Sequence, residues 1–294
     1  DAQESRGLGD VYKRQTHGCV PNTGCFPVSA AYDTIGPLAR TVAEVAWAHE
    51  AIAGLAPGDD CCEDRSVESW AHAYTRGVRG LRVGVPAHWC FGDIEPDVER
   101  LVRAAIADLR AMGVEVVEIE LPGVEQAQAH LMPMVHADAA QVHARRLAEQ
   151  PEVFGADVLD RMRHGQAVTG PQYAASMRFK ERWLRVLDDV FRQVDVVLTP
   201  TCPVTAPLRT DTARMLETTR KISRFTYAWA MAGTPALSVP CGHAANGLPV
   251  GIQLIAPRWH DARVLALGAH YQSATAHHLS VPPMVRDAMA RLCP

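Results

Sequence analysis

The stretch LRVGVPAHWCFGDIEPDVERLVRAAIADLRAMGVEVVEIEL, residues 81–121, decides the fold class. Residues 81–85 alternate loosely between polar and apolar side chains and end at Pro86, which indicates a strand. Residues 96–112 carry apolar side chains at three- and four-residue steps, which is typical of an amphipathic helix. Residues 114–121 alternate as a half-buried strand does. A strand, a helix and a strand within about forty residues predict a βαβ unit with a right-handed crossover.

Two helices with clear sequence signals flank this unit. Thr41 and Glu44 form a capping-box pattern, which predicts a helix from residue 42 that ends near Gly54. Residues 172–194 predict a second, longer helix. The side chains of this second helix that are expected to face the core are Met177, Leu184, Leu187, Phe191 and Val194.

The C-terminal third of the chain predicts further strands. Residues 194–198 form a short apolar run, which is typical of a buried parallel strand. Residues 236–239 and 250–256 surround Asn246-Gly247, a strong hairpin signal. The remaining predicted helices cover residues 222–231 and 261–271. The sequence therefore predicts an α/β fold, a mixed β-sheet flanked by helices on both faces, in one large domain without internal repeats.

Composition excludes several classes of protein. The 294 residues carry a net charge of -4, so no basic surface for nucleic acid or an anionic membrane is indicated. No apolar run approaches the roughly 20 residues of a membrane span. The eight cysteines lack the CxxC spacing of metal sites, and scattered thiols favour the reducing cytoplasm. None of the 13 histidines forms an HxxxH or HxH pair, so no metal site is expected.

The first 15 residues stand apart from this pattern. Residues 1–15 show no apolar periodicity, and residues 10–15 (DVYKRQ) resemble the translation of an adaptor used in sequencing libraries. We therefore interpret residues 1–15 as a non-native, adaptor-derived tail and set them aside. The alternative interpretation is a disordered tail.

No complete catalytic site is visible in the sequence. A hydrolase needs an activated nucleophile, but no GxSxG elbow occurs. Lys180 lies four residues after Ser176, yet such a helix pair is usually solvated surface. Cys241, two residues before His243, is more easily explained as a small core residue at a strand end than as a thiol nucleophile.

Three motifs, in order along the chain, resemble the amidase-signature family of amide hydrolases. The first is Tyr32-Asp-Thr-Ile-Gly-Pro-Leu-Ala-Arg-Thr41, which is similar to the family pattern S-x-D-x-x-G-P-x-x-R-T but has Ala31 in place of the opening Ser. The second is Asp195-Val-Val-Leu-Thr-Pro-Thr201, and the third joins residues 233–242 to Asn246-Gly-Leu-Pro-Val-Gly-Ile-Gln-Leu254. The resemblance covers residues 16 to about 280.

The resemblance implies that the chain lacks its catalytic residues. In the family a Lys, a Ser in a cis peptide and the nucleophilic Ser all precede the position of Thr16, and none is expected here. Residues 16–282 are then the C-terminal part of a single amidase-signature domain, inactive alone, and residues 283–294 form a C-terminal tail. Without the remainder, strands over 196–198 and 250–252 are expected to present an unpaired edge or an apolar face, which predicts aggregation.

The pocket residues that remain are expected in two places. Asp33 and Thr34 lie in the loop after the lost nucleophile, and Thr199, Pro200 and Thr201 follow a strand, where open α/β sheets bind ligands. These five are the candidate substrate-binding residues. The alternative is that Asp33 caps its loop, and that Thr199 and Thr201 only satisfy backbone groups.

Three functions remain open at this point. The first is an amide hydrolase that acts on a small-molecule amide through an acyl-enzyme in the complete protein. The second is a non-catalytic or assembly protein resembling the A subunit of amidotransferases, and the third is a small-molecule-binding domain. No cofactor, catalytic residue, metal, nucleic acid or membrane contact is expected, and a homodimer is possible.

Overall fold

A computed structural model describes residues 11–208 and 215–281, which form a seven-stranded mixed sheet in the order β2-β1-β6-β7-β5-β3-β4. The strands are β1 (Val11–Arg14), β2 (Leu38–Ala39), β3 (Arg82–Val85), β4 (Glu115–Glu118), β5 (Val196–Pro200), β6 (Ala236–His243) and β7 (Pro249–Ile255). The helices are α1 (Val42–Ile52), α2 (Trp70–Thr75), α3 (Ala87–Cys90), α4 (Pro96–Ala111), α5 (Ala127–Val142), α6 (Ala144–Glu149), α7 (Ala156–Gln166), α8 (Gly170–Gln193), α9 (Met215–Ile222), α10 (Tyr227–Ala232) and α11 (Asp261–Ala274).

The βαβ unit predicted from residues 81–121 is confirmed. Strands β3 and β4 pair in parallel on either side of the α4 crossover, and Pro96 opens α4 at its first turn. Strand β4 is shorter than predicted because it lies at the sheet edge, where Glu115 and Glu118 are exposed to solvent. Charged side chains on a short edge strand oppose pairing with another chain.

The hairpin predicted around Asn246-Gly247 is confirmed by the antiparallel pairing of β6 with β7. Strand β5 pairs with β7 on one side and runs parallel to β3 on the other. The expectation of an unpaired edge at 196–198 or 250–252 is therefore wrong. Both segments lie in interior strands, and the edges of the sheet are β2 and β4.

Side chains alternate between the two faces of the sheet and build two hydrophobic cores. In β5, Val196 and Leu198 pack with α1, α4 and α11, whereas Val197 packs with α5, α8 and α10. Strand β7 alternates in the same way, with Leu254 in the first core and Ile255 in the second. Helices thus cover both faces of a mixed sheet, and the predicted fold class is confirmed.

Helices α1 and α8 both begin with a capping box. Thr41 and Glu44 exchange side-chain and backbone hydrogen bonds at the start of α1, as predicted. Thr169 and Gln172 do the same for α8, so this helix starts before the predicted residue 172. Both helices end within two residues of their predicted limits.

The buried stripe of α8 differs from the predicted one. Leu187 and Val194 are buried as predicted, but Met177 is 38% exposed. The observed stripe consists of Ser176, Phe179, Trp183, Leu187 and Val190. The polar Ser176 conceals this stripe in the sequence, and its hydroxyl lies 3.3 Å from Nδ1 of His130.

The single helix predicted over 222–231 is two helices in the structure. Helix α9 ends at Ile222 and α10 begins at Tyr227. Thr226 donates both its backbone N–H and its hydroxyl to the carbonyl of Ser223, which forms a tight turn between them. The helix predicted over 261–271 is confirmed as α11.

The segment set aside as a tail contains a strand of the sheet. Residues 11–14 form β1, which pairs antiparallel with both β2 and β6, and Gln15 is buried. Residues 1–10 and the predicted tail 283–294 lie outside the described residues. The alternative interpretation as a disordered tail is therefore wrong for residues 11–14, while the adaptor origin of residues 1–15 stays a prediction. A strand this short and polar gives no periodicity signal by itself.

Strand β1 directs its side chains alternately to the two faces of the sheet. Val11 and Lys13 face α1 and α11, whereas Tyr12 and Arg14 face a cavity on the other side. Across residues 11–208 and 215–281, no helix combines the length and apolar character that crossing a membrane requires.

Candidate functional site

A cavity of about 210 Å³ lies where β1, β5, β6 and β7 face α5 and α10. Its floor is made by polar side chains from the sheet. Thr201, just beyond the end of β5, donates its backbone N–H to Gly251, and this places its hydroxyl 2.8 Å from that of Ser238 on β6. Gln253 stands opposite Ser238 in the β6–β7 register. The three polar groups meet because all lie on one face of adjacent strands.

Hydrogen bonds hold Gln253 in a fixed orientation. Its side-chain amide donates to the hydroxyl of Thr199 at 3.1 Å and to the carbonyl of Phe225 at 2.8 Å. A buried amide with two partners is fixed in orientation. The floor of the cavity is therefore preorganised before any ligand enters.

The loop between β1 and β2 supplies one wall. Asp33 accepts hydrogen bonds from the backbone N–H groups of Val28 and Ser29, at 2.8 and 3.0 Å. Ser29 in turn donates its hydroxyl to Asp138 of α5 at 2.5 Å. These contacts close the loop on itself and join it to α5, so the wall has a defined shape without regular secondary structure.

Cationic groups surround the same loop. Arg14 of β1 donates to the hydroxyl of Thr34 at 3.4 Å and to the carbonyl of Ala230 at 3.3 Å. Lys180 of α8 is half-buried and donates to the hydroxyl of Tyr32, which lines the cavity. Burial lowers the pKa of Lys180, and the charge of Arg258 lowers it further. The prediction of a solvated Lys180 is therefore wrong, because the Tyr32 side chain covers its ammonium group.

His17 lies among these cations. Its Nε2 is 2.9 Å from the carbonyl of Ala30. Burial lowers its pKa, and the charges of Arg14, Arg258 and Lys180 act in the same direction. A neutral imidazole at neutral pH follows from this environment.

The structure brings two of the five candidate substrate-binding residues to the cavity. Asp33 and Thr201 form part of its wall. Thr34 lies behind that wall as an acceptor for Arg14, and Thr199 is buried with its hydroxyl bound to Gln253 and Pro200. Pro200 is the last residue of β5, opposite Ile252. A role in binding for any of the five stays a prediction.

Sequence reasoning missed several residues of the cavity. Ser238 and Gln253 lie inside the third family-like motif, and their polar side chains in otherwise apolar strands were an available signal. Tyr32 directly precedes the candidate Asp33. Arg14 was set aside with the tail, and nothing in the sequence indicated that it reaches the cavity.

The described residues do not assemble a nucleophile with its base at this cavity. The hydroxyls of Thr201 and Ser238 bond to each other, and no lysine or histidine of the described chain is bonded to either. Cys241 is buried, and burial raises its thiol pKa to about 12, which makes it a poor nucleophile. Within the described residues, no peptide bond is cis and no His, Cys, Asp and Glu side chains group as a metal site would require.

A second polar cluster lies on the opposite face of β1. Lys13 is fully buried, and its Nζ lies 2.5 Å from Oδ1 of Asp261 at the start of α11. Asp261 also accepts the backbone N–H of Thr16 at 2.9 Å and its hydroxyl at 2.5 Å. Nε2 of His49 is 3.8 Å from the same carboxylate. The cluster joins β1, α1 and α11, and none of its side chains is among those that line the cavity described above.

Comparisons with known proteins agree with the architecture. An amidase from Pseudomonas putida is 32% identical over 93% of this chain and 60% of its own length. The A subunit of the glutamyl-tRNA(Gln) amidotransferase of Synechococcus sp. (strain RCC307) is 32% identical over 92% of this chain and 61% of its own. A crystal structure of an amidase superposes with a TM-score of 0.78 at 27% identity, over 92% of this chain and 59% of that one.

The chain therefore spans about three-fifths of the length of the relatives it matches. The model of the Amidase family matches residues 14–265, which include every strand from β2 to β7, the loop of Asp33 and the cavity floor. The chain belongs to the Amidase family.

Proposed function

We propose that this chain forms the substrate pocket of an amide-bond hydrolase whose catalytic Ser, cis-peptide Ser and Lys are supplied by sequence outside it. The observation that carries the proposal is a preorganised polar cavity without a nucleophile–base pair among the described residues, in a member of the Amidase family. The chain alone is then expected to bind amides and not to hydrolyse them.

In the complete protein the reaction proceeds through an acyl-enzyme. A serine attacks the amide carbonyl, the C–N bond breaks, and the amine leaves with a proton delivered through the second Ser and the Lys. Water then hydrolyses the ester and releases the acid. The residues of this chain bind and orient the substrate, because Thr201 and Ser238 offer hydroxyl groups at the floor and Tyr32 and Met132 offer apolar surface at the wall.

A second candidate is an assembly protein that resembles the A subunit of amidotransferases. The observation in its favour is the 32% identity to that protein in Synechococcus sp. (strain RCC307), equal to the identity to the amidase. Genes for amidotransferase partners beside this one, and activity only in a complex with them, would favour the assembly role.

The test uses two proteins, the 294-residue chain and the complete reading frame recovered from the source DNA. Each is treated with a fluorophosphonate probe and assayed for ammonia release from simple amides. We expect labelling and turnover from the complete protein and neither from the chain. Labelling of the chain that disappears in Ser238→Ala would place a nucleophile inside it and overturn the proposal.

We also propose that the complete protein acts in the cytoplasm. Six cysteines of the described residues are free thiols, which favours a reducing compartment: Cys19, Cys25, Cys61, Cys62, Cys90 and Cys241. The distribution of a tagged complete protein between cell fractions tests this part.

A further inference from the structure

We infer that the floor of the cavity recognises uncharged carboxamides by their N–H group, and that the side-chain oxygen of Gln253 determines this specificity. The inference rests on the proposed function and names the substrate class for it. That class is amides with a hydrogen on nitrogen, in preference to tertiary amides, esters and ketones. Gln253 acts on binding and not on the chemical step.

The first step of the argument is the orientation of the Gln253 amide. Its nitrogen donates to the carbonyl of Phe225 at 2.8 Å, and a carbonyl accepts hydrogen bonds but cannot donate them. The same nitrogen donates to the hydroxyl of Thr199, whose own proton goes to the carbonyl of Pro200. Exchanging the nitrogen and the oxygen of Gln253 would place two oxygens in contact at Phe225. The oxygen Oε1 is therefore the end of the amide that points away from Phe225 and Thr199.

The second step is that Oε1 is an open acceptor. Among the described residues, none donates a hydrogen bond to Oε1. Gln253 lines the cavity and is only 6% exposed, yet Oε1 does not belong to the enclosed side-chain atoms of the described chain that lack a partner. The accessible surface of Oε1 therefore faces the cavity. An amide oxygen only accepts hydrogen bonds, so the ligand group that satisfies it must carry an N–H or an O–H.

The third step is the hydroxyl pair beside this acceptor. The hydroxyls of Thr201 and Ser238 lie 2.8 Å apart, so one of them donates its proton to the other. The hydroxyl that accepts keeps a proton for which the described residues provide no acceptor. The pair meets above Gly251 of β7, where a Cβ atom would lie 3.0 Å from the Thr201 oxygen and 3.2 Å from the Ser238 oxygen. The missing side chain of Gly251 thus leaves room for a hydroxyl donor at the cavity floor.

The fourth step is that a carboxamide complements this floor. Gln253 stands opposite Ser238 in the β6–β7 register, so the acceptor and the hydroxyl pair lie on neighbouring strands and on one face of the sheet. A carboxamide carries an N–H donor next to a carbonyl acceptor, which is the matching set. A ketone or an ester offers the carbonyl alone. It would leave Oε1 buried without a donor, and a buried polar atom without a partner costs free energy.

The opposite wall indicates the acyl group. Leu131, Met132 and Val135 of α5 line the cavity across from the sheet, so the part of the ligand beyond the amide is apolar. A cavity of about 210 Å³ corresponds to roughly seven water molecules at about 30 Å³ each, which leaves room for a single ring. Benzamide is therefore the probe of choice. Acetophenone is its counterpart of the same shape, because a methyl group replaces the NH₂ group.

The test measures binding of both probes to the 294-residue chain by isothermal titration calorimetry. We expect benzamide to bind about ten-fold more tightly than acetophenone, because the ketone leaves a buried acceptor unpaired. Gln253→Met should make the two affinities equal. Removal of both floor hydroxyls, in Thr201→Val combined with Ser238→Ala, should weaken both probes and keep their ratio. Ser273→Ala, which removes an exposed hydroxyl of α11, is the control and should change neither affinity.

Equal affinity for the two probes, no binding of benzamide, or a preference that survives in Gln253→Met would each overturn the inference. Thermal unfolding verifies the fold of each variant, and the two probes decide the inference on the unaltered chain even where a variant does not fold.

The proposed function fails separately. If the complete protein releases no ammonia from any amide but the chain still prefers benzamide, the hydrolase proposal is wrong and the recognition stands. If the complete protein releases ammonia from amides while the chain binds benzamide and acetophenone equally, the inference alone is wrong.

Discussion

Lys13 and Lys180 are both taken out of water, yet their surroundings differ. Lys13 is fully buried, with Asp261 at 2.5 Å and the carbonyl of Arg14 at 2.8 Å as acceptors. Lys180 is half-buried, and among the described residues it contacts the hydroxyl and the ring of Tyr32, with Asp138 acting from a longer distance. Burial lowers the pKa of both ammonium groups, but only Lys13 has a carboxylate in contact that opposes the shift. The charge of Lys13 therefore depends on a carboxylate in contact with it, whereas the half-buried charge of Lys180 is held without one.

Removal of the counter-ion of Lys13 should have the largest effect. Asp261→Asn would leave the ammonium buried without its anion, so we expect the free energy of unfolding to fall by about 3–5 kcal/mol. Chemical denaturation measures the change. Asp189→Asn is the matched control, because Asp189 is exposed and its pairing with Arg192 should contribute under about 1 kcal/mol. A similar small loss in both variants would contradict the structural role of the pair.

The second-largest loss of stability is expected at acidic pH and involves His49 of the same cluster. Burial lowers the pKa of His49 to about 4, and the charge of Lys13 adds to this while Asp261 opposes it. Between about pH 6.5 and pH 4 the unfolded chain binds a proton at His49 that the folded chain does not bind. Stability is therefore full above about pH 6.5 and declines as the pH falls toward 4, by roughly 3 kcal/mol from this residue.

Denaturation curves at pH 7 and pH 4.5 test this expectation. In His49→Gln the decline over that interval should be smaller than in the unaltered chain, because the residue no longer titrates. His72→Gln, at a largely exposed position, should reproduce the original decline. If His49→Gln leaves the pH dependence unchanged, other groups cause the acid sensitivity.

The smallest effect is expected at Lys180. Lys180→Met keeps an unbranched apolar chain and removes an ammonium that burial disfavours, so the free energy of unfolding should change by less than about 1 kcal/mol. Thermal and chemical unfolding at pH 7 measure it. A loss as large as that of Asp261→Asn would show that Lys180 is a structural residue like Lys13, and the contrast between the two would disappear.

Local patterns predicted most of the fold. The βαβ unit, the β6–β7 hairpin and the capping box of α1 depend on contacts between residues near each other in the chain, so spacing alone indicates them. Strand β1 was missed because four mixed residues give no periodicity signal and owe their structure to pairing with β2 and with the distant β6. The altered stripe of α8 was missed because a buried serine interrupts its apolar pattern.

The cavity was less predictable than the fold. Asp33 and Thr201 were found because strand ends and family-like motifs indicate them. Lys180 was misjudged because the sequence shows its neighbour four residues away, Ser176, and not Tyr32, which reaches it from almost 150 residues earlier. Burial of a long charged side chain is a tertiary property, and helix periodicity does not contain it.

Strand β1 is synthesised long before β6, the strand with which it pairs in the folded protein. Strand β1 ends at Arg14 and β6 begins at Ala236, about 220 residues later. At roughly 5–20 residues per second, β6 is synthesised some 10–45 seconds after β1, whereas the other partner of β1, strand β2, follows it closely. Lys13 also lacks its folded-state anion during that time, because Asp261 follows β6 in the chain, and burial of an unpaired ammonium would be costly. Complete burial of the first strand therefore requires a residue near the end of the described chain.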